Sequence, residues 1–142
     1  MKKSILDTDT LINFFDGDEN TSQNLDSYLS SHSKLTITEL SVFEFFQGLE
    51  FKKAFKQIER FETFISKCEI LNISHNSVRL SAKIYADLRR KGKTIGEINL
   101  LIAGITIHYD LRLISNNTAP RRTDRGPIIT QLEINFHGKK IK

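Results

Sequence analysis

Asp7 is the side chain of this sequence best placed for chemistry. It follows Ile5 and Leu6, which read as a short buried strand, and precedes Thr8 to Phe15, whose apolar residues recur at helical spacing. An acid directly after such a strand stands at its carboxyl end, the edge where α/β sheets meet their ligands. The same place suits an N-cap, because a carboxylate oxygen there accepts an amide of the first helical turn. Both uses stay open at this stage. A second acid, Glu44, falls in a Ser41-x-x-Glu44 pattern that reads as a capping box. Arg89, Arg90, Lys91 and Lys93 gather cations that would grip phosphates, or would simply form a solvated helix end that suits the dipole. Other chemistries find no residues. His32, His75, His108 and His137 lack metal-ligand spacing, and neither a glycine-rich phosphate loop nor a Gly-x-Ser-x-Gly elbow occurs. The histidines therefore read as surface or partner-contact residues.

The elements that must position these groups alternate along the chain. After Gly17, Thr21 or Ser22 is expected to cap a helix through Leu25, Tyr28 and Leu29, and Leu35 to Ile37 reads as a strand. Thr38 to Gly48 is expected to be a helix with Leu40, Phe43 and Phe46 on one face and Gly48 as its stop. Phe51, Phe55, Ile58, Phe61 and Ile65 continue as an amphipathic helix, and Glu69 to Ile73 returns to strand. Ser74 to Arg90 reads as a long helix with Val78, Ile84, Tyr85 and Leu88 inward, broken by Gly92. Gly96 to Tyr109 is apolar and helical in length, and Leu111 to Ser115 alternates as a strand that ends in the turn-like Asn116-Asn117. Short strands joined by helices predict an α/β sandwich with a largely parallel central sheet flanked by helices. No internal repeat, linker or low-complexity segment interrupts residues 1–142, which read as a single domain.

Four segments carry a family resemblance. Ile5-Leu6-Asp7-Thr8-Asp9 resembles the opening of PIN domains, a strand ending in a metal-binding Asp. Ser41-Val42-Phe43-Glu44-Phe45-Phe46-Gln47-Gly48 is similar to the family's second motif, an acid followed by apolar residues and a Gly. Arg89 to Lys93, followed by Thr94-Ile95-Gly96-Glu97-Ile98-Asn99-Leu100-Leu101-Ile102-Ala103-Gly104, resembles the VapC stretch of basic loop, Ile/Val-Gly, two variable residues, Asp, and apolar-Ile-Ala. Leu113-Ile114-Ser115-Asn116-Asn117-Thr118 matches the strand that ends in a polar run. The resemblance covers residues 3–118 and points to a PIN-domain ribonuclease of the VapC toxin type. Two departures stand out. Asn99 occupies the place of the third acid, and Thr118-Ala119-Pro120 stands where such chains commonly continue to an acid and an aromatic residue.

The resemblance implies a Mg²⁺ site, with Mn²⁺ as a substitute, held by Asp7, Glu44 and Asn99, with Asn117 helping to position water or phosphate. Hard oxygen ligands suit these cations. A cation held there would acidify water and neutralise charge building on the phosphate oxygens during cleavage. It implies RNA as substrate, tRNA or rRNA loops included, and Arg89, Arg90 and Lys93 as RNA contacts. It further implies a VapB-type antitoxin as partner and a homodimer formed through apolar helix faces, those of Phe43, Phe46 and Phe55 among them. Asn99 keeps an oxygen and loses a charge, which weakens the expected hold on a cation. Glu97, two residues away on the same helix, points elsewhere. A catalytically silent PIN-fold module that binds RNA or antitoxin is therefore the alternative. A receiver-like phosphoacceptor domain, suggested by Asp7 and Asp9, lacks a suitably placed Lys-bearing strand.

Composition sets looser bounds. A chain of 142 residues buries a core without disulfides or structural metal, and 39% hydrophobic with 27% charged residues is a globular balance. Lys and Arg outnumber Asp and Glu by 21 to 17, giving a pI of about 9.2, which makes an acidic partner plausible, nucleic acid first. Lys-rich solvated faces explain the same excess. The lone Cys68 builds neither a disulfide nor a cysteine-rich zinc site and fits a reduced cytoplasmic setting. Met1-Lys2-Lys3 runs into the first strand without the apolar stretch of a signal peptide or membrane span, so no membrane association is expected.

Overall fold

The computed structural model describes residues 2–115; Asn117, the Thr118 to Pro120 departure and His137 lie outside the described residues. Four three-residue strands, β1 (Ser4–Leu6), β2 (Thr36–Thr38), β3 (Glu69–Leu71) and β4 (Arg112–Ile114), form one parallel sheet in the order β3-β2-β1-β4. Ile5 pairs with Thr36 on one side, while Ser4, Ile5 and Leu6 pair with Arg112, Leu113 and Ile114 on the other. Among the described residues the helices are α1 (Thr8–Phe15), α2 (Glu19–Leu29), α3 (Glu39–Phe51), α4 (Phe55–Ile65), α5 (His75–Arg90) and α6 (Glu97–His108). The expected α/β architecture, a parallel sheet flanked by helices, is what the chain adopts.

The two-residue period of a strand explains the layering. Leu6 faces a core built with Leu11, Leu25, Tyr28, Phe45 and Phe61, whereas its neighbour Ile5 packs with Ile102 and Ile105 of α6. Both are fully buried, as a strand covered on both faces must be. α5 packs on α6, closing a third apolar cluster of Leu88, Leu100 and Ala103.

Several local expectations are corrected. α2 is capped by Asp18, not by Thr21 or Ser22: its carboxylate accepts from the Thr21 amide at 2.9 Å and the Thr21 hydroxyl at 2.8 Å. α3 runs through Gly48 to Phe51, and the chain turns only at Lys53, whose φ is +54°. Its buried stripe is Val42, Phe45 and Leu49, and Phe43 is 55% exposed. A helix with apolar residues around most of its circumference does not reveal by periodicity which face turns inward. Phe51 and Phe55 are exposed as well, while Phe61 is the buried residue of α4.

α5 also turns a different face inward, burying Ser77, Ser81 and Leu88 and leaving Val78 and Tyr85 exposed. The cause is a close helix crossing. A side-chain carbon at Gly104 would overlap the Ser81 hydroxyl and the Ser77 carbonyl, and Ser81 Oγ donates to the Leu100 carbonyl at 2.8 Å. Small residues let the backbones approach, so larger apolar ones are displaced to the outside.

Candidate active site

Asp7 serves as a helix cap while standing at the carboxyl edge of the sheet. It is the N-cap of α1, accepting the Thr10 amide on Oδ1 at 2.8 Å, and its own amide donates to the Ile114 carbonyl at 3.0 Å. It thus stands at the carboxyl edge of β1, wedged against the end of β4. Only 6% of Asp7 is exposed. Burial pushes its carboxyl above the ordinary range, and the charge of Asp9 adds to this, against the stabilising hydrogen bonds of Thr10 and Ser115.

Ser115 was not singled out by the sequence. The signal was present in the register: Leu6 pairs with Ile114, so the next residues, Asp7 and Ser115, leave the sheet side by side.

Glu44 is half-buried on α3. The capping-box reading of Ser41 and Glu44 is corrected, because the N-cap of α3 is Thr38, whose Oγ1 accepts the Ser41 amide at 3.1 Å. Ser41 instead lies within the first turn, fully buried, its hydroxyl 2.9 Å from that of Thr8. Thr8 adjoins Asp7, and Glu44 lies one turn beyond Ser41 on the same side of α3. The bond between hydroxyls therefore brings the Asp7 and Glu44 elements to one edge.

Asn99, half-buried, is the third residue of α6 after its N-cap Gly96. Its amide nitrogen lies 4.0 Å from where Gly96 would carry a Cβ, so the side chain turns back toward the helix start. Ile98 beside it packs in one cluster with Ile5 of β1 and Leu40 of α3. Because α6 leads into the parallel strand β4, its start lies toward the carboxyl edge. The N-termini of α1, α3 and α6, the first two capped by Asp7 and Thr38, thus lie toward the same edge. Glu97 is exposed in the first turn.

The donor set suits a hard cation. Asp7, Glu44 and Asn99 offer oxygen ligands, and a desolvated carboxylate is stabilised by a positive charge beside it. Among the described residues the ion pairs are Lys2–Asp110, Lys3–Glu69 and Arg90–Asp87, so no Lys or Arg pairs with Asp7 or Glu44. Nor do three Asp, Glu, His or Cys side chains among the described residues gather in a group able to hold a metal, which accords with an amide in the third place.

Arg89 and Arg90 close the last turn of α5, and Lys93 follows, its amide bonded to the Leu88 carbonyl at 2.8 Å. Leu88 packs with Ile95 and Leu100, which brings this basic end to the start of α6 near Asn99. Arg89 lies over the Tyr85 ring, 5.8 Å from its centre, and Arg90 approaches Asp87 at 3.3 Å. The placement agrees with a phosphate grip and with cations serving a helix dipole. No helix of the described residues is long and apolar enough to cross a membrane.

A parallel α/β sheet with acids at its carboxyl edge, approached by helix N-termini, defines the class. The family follows: a family model for the PIN domain matches residues 4–126, and the chain belongs to the PIN-domain family. PIN domains are generally nucleases. Compared by sequence with curated proteins, the chain matches none significantly. Among solved structures it is similar to the DNA-bound VapBC of Salmonella typhimurium. The two are 27% identical with a TM-score of 0.75, over 91% of this chain and 96% of that one. VapBC2 of Rickettsia felis, bound to a DNA fragment from its promoter, is 22% identical with a TM-score of 0.72, over 87% and 93%. FitAcB of Neisseria gonorrhoeae is 20% identical with a TM-score of 0.71, over 89% and 93%. The last two support the fold alone. The resemblance to VapC-type PIN chains is borne out by the family together with the Salmonella typhimurium likeness.

Proposed function

We propose that this protein is a metal-dependent endoribonuclease toxin of a VapBC-type pair, working in the cytoplasm on loop or single-stranded RNA. The observation that carries the reading is the buried carboxylate of Asp7 at the carboxyl edge, tied through Thr8 and Ser41 to the helix of Glu44. Asp7, Glu44 and Asn99 are the residues that would hold Mg²⁺ or Mn²⁺, and Asn117 is assigned to positioning water or phosphate. The cation supplies an acidified water and charge neutralisation at the phosphate.

The chain's own residues do the rest. Asp7 is preset by the Thr10 amide and Ser115, so its carboxylate needs little reorganisation. Arg89, Arg90 and Lys93 would hold the RNA backbone beside the start of α6. The likeness to the DNA-bound VapBC of Salmonella typhimurium supports a VapB-type antitoxin partner that covers this edge. Phe43 and Phe55, exposed on α3 and α4 with Phe46 partly buried nearby, are the surface assigned to a homodimer.

Asn99 favours a second reading, a module that binds RNA or antitoxin and cuts nothing. The two separate in one experiment: cleavage of a panel of structured RNAs by the protein and by Asn99→Asp, with Mg²⁺ and with chelator. A third carboxylate is expected to strengthen cation binding by about ten- to a hundredfold, the range seen when a metal site's supporting groups change, and to raise cleavage with it. Equal cleavage by both proteins removes Asn99 from the site. Silence of both hands the function to the binding module.

A further inference from the structure

Thr8 and Ser41 are an unusual pair to find inside a protein core. They are 7% and 0% exposed, 33 residues apart in the chain, and joined through their hydroxyls at 2.9 Å. This side chain to side chain hydrogen bond links α1 directly to α3. Each partner is fixed from its own side. Thr8 is the first residue of α1, directly after the Asp7 cap, and Ser41 is held by the Thr38 cap of α3.

Stability alone does not call for two hydroxyls here. Replacing both members of a buried hydrogen bond by apolar groups of similar shape is often neutral. A hydroxyl pair also brings two protons and uses one between its members, leaving an O–H that asks for a further acceptor. Among the described residues neither hydroxyl has another partner. What the pair adds over valine and alanine is a fixed separation and a direction, set between the helices that carry Asp7 and Glu44.

We propose that Thr8 and Ser41 are positioning residues whose bond sets the reach from the Asp7 carboxylate to that of Glu44, and so the fit of the edge for a divalent cation. The proposal rests on the metal-site reading given above. A gauge of this kind acts through geometry, which cations of strict coordination sense and a merely packed core does not.

The probe is Mn²⁺, titrated by electron paramagnetic resonance into the full chain and into the Asn99→Asp chain, each also carrying Asp7→Ala, Thr8→Val, Ser41→Ala or Thr8→Ser. Thr8→Val and Ser41→Ala are each expected to weaken Mn²⁺ binding about tenfold, as loss of an outer-shell group does. Combining them is expected to cost no more than the worse single change, since both remove one bond. Thr8→Ser restores the hydroxyl and is expected to keep the parent affinity. Thermal unfolding of the same variants separates the roles, because a purely structural bond lowers Tm and leaves the room-temperature Kd in place. Unchanged Mn²⁺ affinity in Thr8→Val and Ser41→Ala, beside a clear loss in Asp7→Ala, overturns the positioning role alone. Mn²⁺ binding that survives Asp7→Ala, or that neither background displays, overturns the metal site and the positioning role with it.

Discussion

Replacing Asp7 by Asn and by Ala separates its work as a cap from its work as an acid. Both changes remove a carboxylate whose burial pushes its pKa up, so both relieve the cost of keeping that charge out of water. They differ in the cap. Asn keeps an oxygen for the Thr10 amide, now met at 2.8 Å, and caps as well as Asp, whereas Ala gives up about 1 kcal/mol. Asp7→Asn is therefore expected to melt higher than Asp7→Ala by roughly 4 °C for a domain of this size. The pH dependence follows from the sign of the shift. A carboxyl whose folded pKa is raised favours the folded state when protonated, so the parent loses stability as pH climbs from the unfolded value of 3.8 toward the folded one. Above that window the penalty is constant. Asp7→Asn carries no such loss, and its advantage over the parent is expected to grow across the window and vanish in acid. Differential scanning fluorimetry from pH 3 upward, roughly the range over which a carboxyl titrates, with and without Mg²⁺, reads all of this. Mg²⁺ should raise the parent's Tm most, Asp7→Asn less and Asp7→Ala not at all. Equal melting of the two variants without Mg²⁺ would refute the cap, and a Mg²⁺-dependent rise in Asp7→Ala equal to the parent's would refute the ligand role.

Replacing Arg89, Arg90 and Lys93 together by Gln is expected to weaken RNA binding broadly and to flatten its salt dependence by up to about 2 in the log–log slope, as three lost single-strand phosphate contacts would. Filter binding across a salt series checks this, and an unchanged slope assigns the three to a solvated helix end. Gly104→Ala is expected to destabilise by about 1–3 kcal/mol, read in urea, because the added carbon meets the Ser77 backbone and not only a movable side chain. Glu69→Gln removes the 2.8 Å ion pair with Lys3 at a half-exposed site, so the loss is expected to stay under about 1 kcal/mol. Hydrogen bonding from Lys3 lowers the Glu69 pKa, so this contribution is present above the unfolded pKa and disappears as pH falls through the folded one; a loss that persists in acid would contradict the assignment.

How much the sequence disclosed depended on whether the signal was local. The alternation of strand and helix, the limits of α1 and the break at Gly92 were legible, since apolar spacing and a φ of +73° are decided within a few residues. The inward faces of α3 and α5 were not. Phe43, Val78 and Tyr85 look like core residues, and only the crossing at Gly104, far away in the chain, explains why Ser77 and Ser81 take the interior. At the site, Asp7 could be placed because the strand before it is short and unambiguous. The true cap of α3 needed the exact start of that helix, one residue after Thr38, and sequence patterns fix boundaries poorly. The roles of Ser115 and of the Thr8–Ser41 bond belong to register and topology, which one chain does not announce.

The position of β1 has a consequence for how the molecule comes into being. It lies between β2 and β4, so the first strand of the chain is finished only when residues 112–114 dock beside it. Until then the Asp7 amide lacks the Ile114 carbonyl, its carboxylate lacks Ser115, and α6 has no strand to lead into. Closure over more than a hundred residues is entropically costly and makes for slow folding. During synthesis, Asp7 leaves the ribosome long before its partners at the end of β4, and a chain that stops short of residue 112 lacks the strand that completes the Asp7 edge.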